Sequence, residues 1–576
     1  MLHVVAVYGI AAWALIQVAV TVAPLLDLPD WTPKLVLLVL TLGFPLALGV
    51  SWAFTWTPEE GWRRESPLPP EGTAAADVGR QATSDAATRP DRHRWPLYGS
   101  AIAFLALVGV AAYARFGRYP PPEERITSAA VLPFNNLTGD PRNEYLSDGV
   151  TEELLNQLTK VRGLHVAART SAFYFKGKNL PITEIARQLH VAAVVEGSLQ
   201  RTGSRIRISA QLVSARTGYH LWSERYDRDL RDLFAVEDEI SRAIVTALQV
   251  ELAGPPLPNR APDPAAHDLY LHGRFLLSRL SRPDLERSIA LFDQAIARDS
   301  AFAEAYAAAA TAWVNLADAW VPPLQAYPKA EILAQRALAL DTTNAEAHAN
   351  LAYARMVLHW DWAGARRELE RALALNPHDA TTHARYADYL EIRGGPRQAL
   401  PELRQAAALD PFSAYFADML GDCWLRLGQL DSAQAAYQRA QEVAPSQVYA
   451  GSLGAAIYRA QGRYADALAL DQAAAKLRGM PTAGLVSTLV ALGRRADAEG
   501  AYHEMVVQSG RAYVAPELLA GAALALGRRG EAIAWLERGV AWHSGGAPFG
   551  YRFPQLRSDP RYGRLLHRMG LDALAG

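Results

Sequence analysis

Cysteine is nearly absent: Cys423 is the single thiol in 576 residues. One thiol excludes an intrachain disulfide and any thiolate-cluster zinc site, and it leaves the redox compartment open. Charge excess is absent too. The chain has 58 Lys and Arg against 59 Asp and Glu, a formal net charge of −1. No global basic field therefore draws it onto nucleic acid, and direct nucleic-acid binding is not expected. What is abundant is apolar: 50% of residues are hydrophobic and 20% charged. At roughly 100–200 residues per domain, a chain of this length implies three or four units.

Charged side chains are missing from three long runs near the front. Val4–Leu26, Leu35–Thr57 and Trp95–Ala114 carry none. Each is near the length of about 20 residues that crosses a bilayer as a helix. Pro45 lies inside the second, where a membrane helix tolerates it if neighbours satisfy the freed carbonyl. Trp52 and Trp56 fall near its far end, where aromatic rings favour the interface. The first run lacks a basic n-region, so a membrane span is expected there in preference to a cleaved signal peptide.

Between the second and third runs, residues 58–94 are rich in Pro, Ala, Gly, Ser and Thr. That composition does not bury enough surface to fold, and a flexible linker is expected. It carries Arg63, Arg64, Arg80, Arg89, Arg92 and Arg94. The positive-inside rule then puts the linker in the cytoplasm. Three spans send everything after Arg115 to the other face, outside the cytoplasm. Arg115, Arg118 and Arg125 argue mildly against this orientation.

Residues 126–252 have a mixed α/β texture. Ser128–Phe134 and Leu164–Ala168 read as buried strands, and Glu144–Lys160 has helical spacing of Leu146, Val150, Leu154, Leu155 and Leu158. Pro181–Leu189 reads as a short helix with proline in its first turn. Val191–Leu199, Arg205–Val213 and Tyr219–Tyr226 form three runs joined by Thr202-Gly203 and Thr217-Gly218, the pattern of an antiparallel meander. In the middle run Ile206, Ile208, Ala210 and Leu212 share one face, and Arg205, Arg207, Ser209 and Gln211 the other. Such a basic stripe is more often the wet face of a half-covered sheet than a nucleic-acid surface. Leu233–Leu252 reads as a closing helix.

His165, His190 and His220 lie at no metal-ligand spacing. Glu152 and Glu153 are adjacent on a helix, point apart, and make no carboxylate dyad. No nucleophile–base set or phosphate-cradling loop is legible in this segment. No cofactor, metal or catalytic residue is expected, and the chain reads as a non-enzyme.

The words of this segment resemble the TolB-amino-terminal-like (FlgO-like) domain: Ala130-Val-Leu-Pro-Phe-Asn-Asn-Leu-Thr-Gly-Asp-Pro141, Tyr145-Leu-Ser-Asp-Gly-Val-Thr-Glu-Glu-Leu154 and Glu196-Gly-Ser-Leu199. The resemblance implies a bacterial membrane protein in which this domain precedes tetratricopeptide repeats. Leu42-Gly-Phe-Pro45, Ser51-Trp-Ala-Phe54 and Thr57-Pro-Glu-Glu60 resemble the paired-helix membrane segment of the same proteins. Relatives often place a winged-helix or adenylate cyclase domain ahead of the membrane. Here the first apolar run begins at Val4, and neither output domain is expected before it.

Residues 253–264 are proline-rich and read as a semi-stiff hinge. From Ala265 to the end a 34-residue period appears: Pro377, Pro411 and Pro445; Gly394, Gly428 and Gly462; Ala399, Ala433 and Ala467; Ala406, Ala440 and Ala474. Glycine serves the turn between two helices, alanine lets helices approach, and proline ends the second helix. These positions match the tetratricopeptide consensus. About eight repeats over residues 265–576 are expected, with Pro554–Leu571 as a cap. The expected fold is therefore multidomain: three transmembrane helices, a small α+β domain and an all-α superhelix.

The resemblance implies a concave face lined by the first helix of each repeat. Asn350, Tyr353, Arg385, Asp388, Asp418 and Arg426 are the candidate partner-binding residues on that face. Each by itself is more often an ordinary solvated position. Trp360 and Trp362 stand where the turn glycine is usual, and packing is favoured over an exposed anchor. His378 and His383 share a helix end without further ligands, and Cys423 reads as core. The expected function is a membrane-anchored scaffold or sensor binding proteins or peptides. The alternative is a signalling protein acting through a partner that carries the output domain. An enzyme with an unrecognised site, at the loop Asn135–Asn143, ranks last.

Overall fold

The computed structural model describes residues 126–161, 163–248, 260–317, 319–444, 448–546 and 553–572, with short pieces of the first 64 residues. The chain divides into two compact units, Met1–Gly117 and Arg118–Gly576. The three apolar runs lie almost wholly outside the described residues. Among the described residues no helix is long and apolar enough to cross a membrane.

In the first unit a hairpin pairs Phe54–Thr57 with Gly61–Arg64, with Trp56 opposite Trp62. This corrects the expected end of the second span and the start of the linker. Threonine and tryptophan on either side of Pro58-Glu59-Glu60 favour paired extended backbone over a helix that runs to Thr57.

The second unit opens with a mixed sheet. Its strands are β1 (Ser128–Val131), β2 (Asn135–Asn136), β3 (His165–Val166), β4 (Ala193–Thr202), β5 (Arg205–Ser214) and β6 (His220–Asp229). The order is β3-β1-β4-β5-β6, with β2 also pairing β4. The β1 strand runs parallel to both neighbours, with Ser128 opposite His165 and Ala130 opposite Val194. Parallel neighbours need crossovers, and helices supply them. These are α1 (Glu144–Thr159), α2 (Arg169–Phe173) and α3 (Ile182–Leu189). From β4 to β6 the sheet is an antiparallel meander.

The alternation in β5 sorts as its sequence demands. Ile206, Ile208, Ala210 and Leu212 are buried under α1 and α4 (Leu233–Ala247), and Arg205 and Arg207 face water. Arg207 pairs with Asp227 on β6 at 2.7 Å, so the basic stripe is a solvated, ion-paired face.

Gly197 in β4 shows how tightly this sheet is built. A Cβ there would sit 2.5 Å from the Phe134 ring and 2.5 Å from the Ser209 carbonyl oxygen. Backbone does not yield as a side-chain tip does. Gly197→Ala is expected to destabilise the chain by about 1–3 kcal/mol, read as a lower urea midpoint at unchanged slope.

The remaining helices form antiparallel pairs. They are α5 (Pro264–Leu277) with α6 (Arg282–Arg298), α7 (Ala303–Leu316) with α8 (Pro323–Leu340), and α9 (Ala345–Ala354) with α10 (Trp362–Leu375). Next come α11 (Ala380–Gly394) with α12 (Pro396–Leu409), α13 (Ala414–Arg426) with α14 (Leu430–Val443), and α15 (Val448–Ala460) with α16 (Tyr464–Arg478). The last pairs are α17 (Ala483–Ala491) with α18 (Arg495–Ser509) and α19 (Pro516–Ala525) with α20 (Arg529–Ala541), followed by α21 (Pro560–Arg568). This is a helical array built from repeated antiparallel pairs.

The in-phase alanines Ala399, Ala406, Ala433 and Ala440 are each fully buried at helix contacts. Turn glycines such as Gly428 and Gly462 adopt φ of 74°. In the fourth pair the helix runs one residue longer, so Gly395 takes the left-handed turn at φ 82° and the in-phase Gly394 stays helical.

One feature departs from separately folded domains. One hydrophobic core runs from the sheet through α1 and α4 into α5, α6 and α7, so the α/β segment and the first repeats fold as one body. Residues 253–259 of the expected hinge lie outside the described residues, and Pro264 begins α5.

The array also does not run open from end to end, as the expected concave face implies. Residues of the second to fourth pairs and residues from Val486 to Leu571 share a single core. Trp362 Nε1 donates to the Met569 carbonyl at 2.8 Å, Arg393 to the Gly570 carbonyl at 2.9 Å, and the Trp360 ring stacks on His543 at 4.6 Å.

Trp360 takes the turn position in left-handed backbone, φ 50°, after a π-helical turn at Arg355–His359. A large aromatic is strained there. Its contact with His543 is the evident compensation.

Candidate functional site

The six candidate binding residues sit on the first helices of their pairs, and the polar groups of Asn350, Arg385 and Arg426 are used between repeats. Asn350 is fully buried. Its Nδ2 donates to the Ala307 carbonyl at 3.1 Å and to Thr311 Oγ1 at 2.8 Å, and its Oδ1 accepts from Arg385 at 2.9 Å. Arg385 is buried too, with its guanidinium 5.8 Å from the Tyr353 ring. Arg426 pairs with buried Glu391 and, at 2.9 Å, with Asp422.

In this structure Asn350 and Arg385 act as joints between repeats. Asn350 has no exposed surface to offer a partner, and Arg385 has little. Tyr353, Asp388 and Asp418 are half-buried. Burial, with Asp422 nearby, pushes the Asp418 carboxyl up to about 8, which keeps it protonated at neutral pH.

A spacing explains the joints. Thr311 and Glu346, Asn350 and Arg385, and Glu391 and Arg426 are each bonded at a separation of 35 residues. In a 34-residue repeat, positions 35 apart lie side by side on neighbouring first helices. Complementary polar residues at that separation are a signal the sequence carries, and reading positions one by one misses it. Asn350→Ala is expected to destabilise by about 1–3 kcal/mol by stranding its buried partners, with the loss read in the urea midpoint.

The seam continues into the α/β segment. Glu346 also accepts from Arg274 on α5 at 3.0 Å, and Arg274 reaches Glu152 on α1 at 2.5 Å. Glu152 takes a second guanidinium, Arg169 on α2, at 2.8 Å. Burial works to raise the Glu152 carboxyl, yet Arg274 and Arg169 carry it below its ordinary value. One turn earlier, Asp148 and Glu144 both hold Lys176. The stripe Glu144, Asp148, Glu152 on α1 therefore fixes the segment from Arg169 to Lys178.

That segment docks on the array. Ser171 Oγ donates to Asp410 at 2.5 Å and accepts from the Phe412 amide at 3.1 Å. Tyr174 stacks on Phe412 at 4.3 Å, Phe175 meets the same ring edge-on at 5.1 Å, and Arg439 lies 4.6 Å over it. Beside this contact lies an open groove of about 380 Å³ between α12, α13 and α14. Asp410, Ala417, Leu420, Trp424, Ala435 and Arg439 line it. Its walls are mostly apolar, with a carboxyl and a guanidinium beside the docked segment.

His383 bonds Glu402 and the Pro377 carbonyl, and His348 repeats the arrangement with Glu368 and the Thr342 carbonyl. His378 packs against His165 of β3 at 4.3 Å. These histidines are joints between elements. Cys423 is buried, and burial pushes its thiol up to about 11. Among the described residues no group of three or more His, Cys, Asp or Glu is placed to hold a metal ion.

No family model matches this chain. Over 244 residues, 41% of the chain, it is 39% identical to a Rhizobium meliloti (strain 1021) protein named "Putative adenylate cyclase 3". The chain spans 41% of that relative's length. Among solved structures it is similar to a thermophilic TPR protein of Thermus thermophilus, at 21% identity over 36% of this chain and 100% of that one, with a TM-score of 0.29. It is also similar to YrrB, a TPR protein with an unusual peptide-binding site, at 23% identity over 32% of this chain and 90% of that one, with a TM-score of 0.22.

Proposed function

We propose that this chain is a non-enzymatic scaffold that binds a protein segment on its helical array, at the groove between α12, α13 and α14. The observation that carries the reading is the docked segment Arg169–Lys178. The array already holds a piece of the chain's own polypeptide beside that groove, through the Ser171 hydroxyl and the Tyr174 and Phe175 rings. A neighbouring groove with apolar walls and charged ends suits a second segment, with an apolar anchor and polar flanks.

Ala435 is exposed and lines the groove. Ala435→Arg fills it without touching the core. Partners captured under crosslinking by the wild-type chain and lost from Ala435→Arg support the reading. Identical capture by both would refute it.

A second reading is a signalling protein that acts through a partner carrying the output. It is favoured by the name of the Rhizobium relative, more than half of which lies outside the match. Unchanged transcript profiles in a deletion strain across stresses would count against it.

Anchoring in a bacterial inner membrane belongs to the same proposal, with the apolar runs at 4–26, 35–53 and 95–114 crossing it and the array in the periplasm. Support comes from the charge-free runs and the arginines of the linker. Reporter fusions at Glu71 and at the C-terminus test this. Glu71 inside and the C-terminus outside are expected, and both inside would overturn the orientation.

A further inference from the structure

The α/β segment and the first repeat meet at two ionisable side chains that nothing above uses. Glu237 on α4 and His267 on α5 are both buried, and His267 Nε2 lies 2.9 Å from Glu237 Oε2. Their other polar atoms, Glu237 Oε1 and His267 Nδ1, have no hydrogen-bond partner among the described residues. The surroundings of the imidazole are aromatic: Phe234 edge-on at 5.5 Å, with Tyr270 and Phe302 beyond.

The charged groups that face the pair are acidic, Glu153 from α1 and Asp268 from α5. On α4 itself, Asp238 and Glu239 are turned to Arg242 and Arg228. Among the described residues no arginine or lysine reaches in. A buried carboxylate facing only a neutral imidazole keeps its desolvation cost uncompensated. With one proton between them the pair is neutral overall, as an imidazolium carboxylate or as a carboxylic acid beside an imidazole.

We propose that Glu237 and His267 share one proton across this boundary, and that losing it as the pH rises loosens the packing of α4 against α5. The proton is the ligand, and the two side chains are the site.

The sign follows from linkage. Burial pushes the Glu237 carboxyl up to about 7 against the pull of His267. His267 is raised as well, with burial opposing and Glu237 carrying it upward. Both groups hold the proton more tightly when packed than when free. In the unfolded chain the shared proton leaves near the ordinary imidazole value of 6.5. The stabilisation is therefore fully present below that value and is lost as the pH rises through the higher folded value.

The experiment is hydrogen exchange on the full chain from pH 5.5 to 9, corrected for intrinsic exchange rates and read at α5, with the β5 strand as reference. Protection of α5 relative to β5 is expected to be level at the acid end. Above neutral it falls by up to about tenfold per pH unit, the limit for one proton.

Glu237→Gln removes the acid that holds the shared proton and should abolish the fall above neutral. A level wild-type profile overturns the proposal. So does a Glu237→Gln protein that keeps the wild-type slope, whether or not its protection is lower throughout. Should Glu237→Gln not fold, His267→Gln serves. A lone buried carboxyl should begin to lose its contribution from the ordinary carboxyl value of 4.5, so the fall starts at lower pH than in the wild type. An unshifted profile overturns the proposal.

Discussion

Trp362→Ala is expected to lower stability by about 3–5 kcal/mol and to release the C-terminal cap before the rest of the chain. Trp362 fills the core shared by the second to fourth pairs and the chain's end, and its indole N–H satisfies the Met569 carbonyl. Truncation removes a large buried ring and strands that carbonyl, so the cavity and the lost hydrogen bond act together. Two further ties to the chain's end lie nearer the surface. Arg393 meets Gly570 at an exposed site, and Trp360 stacks on His543 at the half-exposed turn. Hydrogen exchange should rise first in α21 and in α19–α20, with the sheet unchanged. A uniform rise throughout the chain would mean that the end is not held by this contact.

Glu152→Ala is expected to be as damaging, by about 3–5 kcal/mol, because it leaves the nearly buried Arg274 guanidinium, and Arg169 beside it, without their shared carboxylate. Glu152 is buried, Arg274 nearly so, and Arg169 partly exposed, which makes Arg274 the larger contributor. Glu152→Gln keeps the shape but not the charge and should recover only part of the loss. Since the Glu152 carboxyl is held below its ordinary value, its contribution is present above 4.5 and disappears as the pH falls through the lower folded value. The exposed Asp140–Arg142 pair on the same domain is the control, and Asp140→Asn should change stability little. Urea midpoints of the three variants decide between a buried joint and a surface pair.

The elements with strong local signals were legible in the chain. Alternation set the buried face of β5, and the in-phase alanines and glycines marked the helix pairs before any contact was known. Long-range closure was not legible, because nothing near Trp362 in sequence points to Met569, 207 residues away. The short helix α2 was missed for a related reason. It is held by the Arg169–Glu152 pair and by Asp410, partners that lie far off in the chain.

The candidate site suffered from reading polar residues singly. Asn350 and Arg385 do lie on first helices, but only their separation of 35 shows that they face each other. The hairpin at Phe54–Arg64 was hidden by an apolar run that continues into its first strand.

The central claim, a binding groove on the array beside the docked segment, is tested most directly by site-specific photocrosslinking in cells. A benzophenone amino acid at Ala435, inside the groove, is compared with one at Gln438, on the same helix but outside the groove lining. The account predicts a discrete crosslinked protein from position 435 and none from 438, lost when Trp424→Ala removes the groove's aromatic wall. Equal products from both positions, or none from 435 under conditions where the chain is folded, would contradict it.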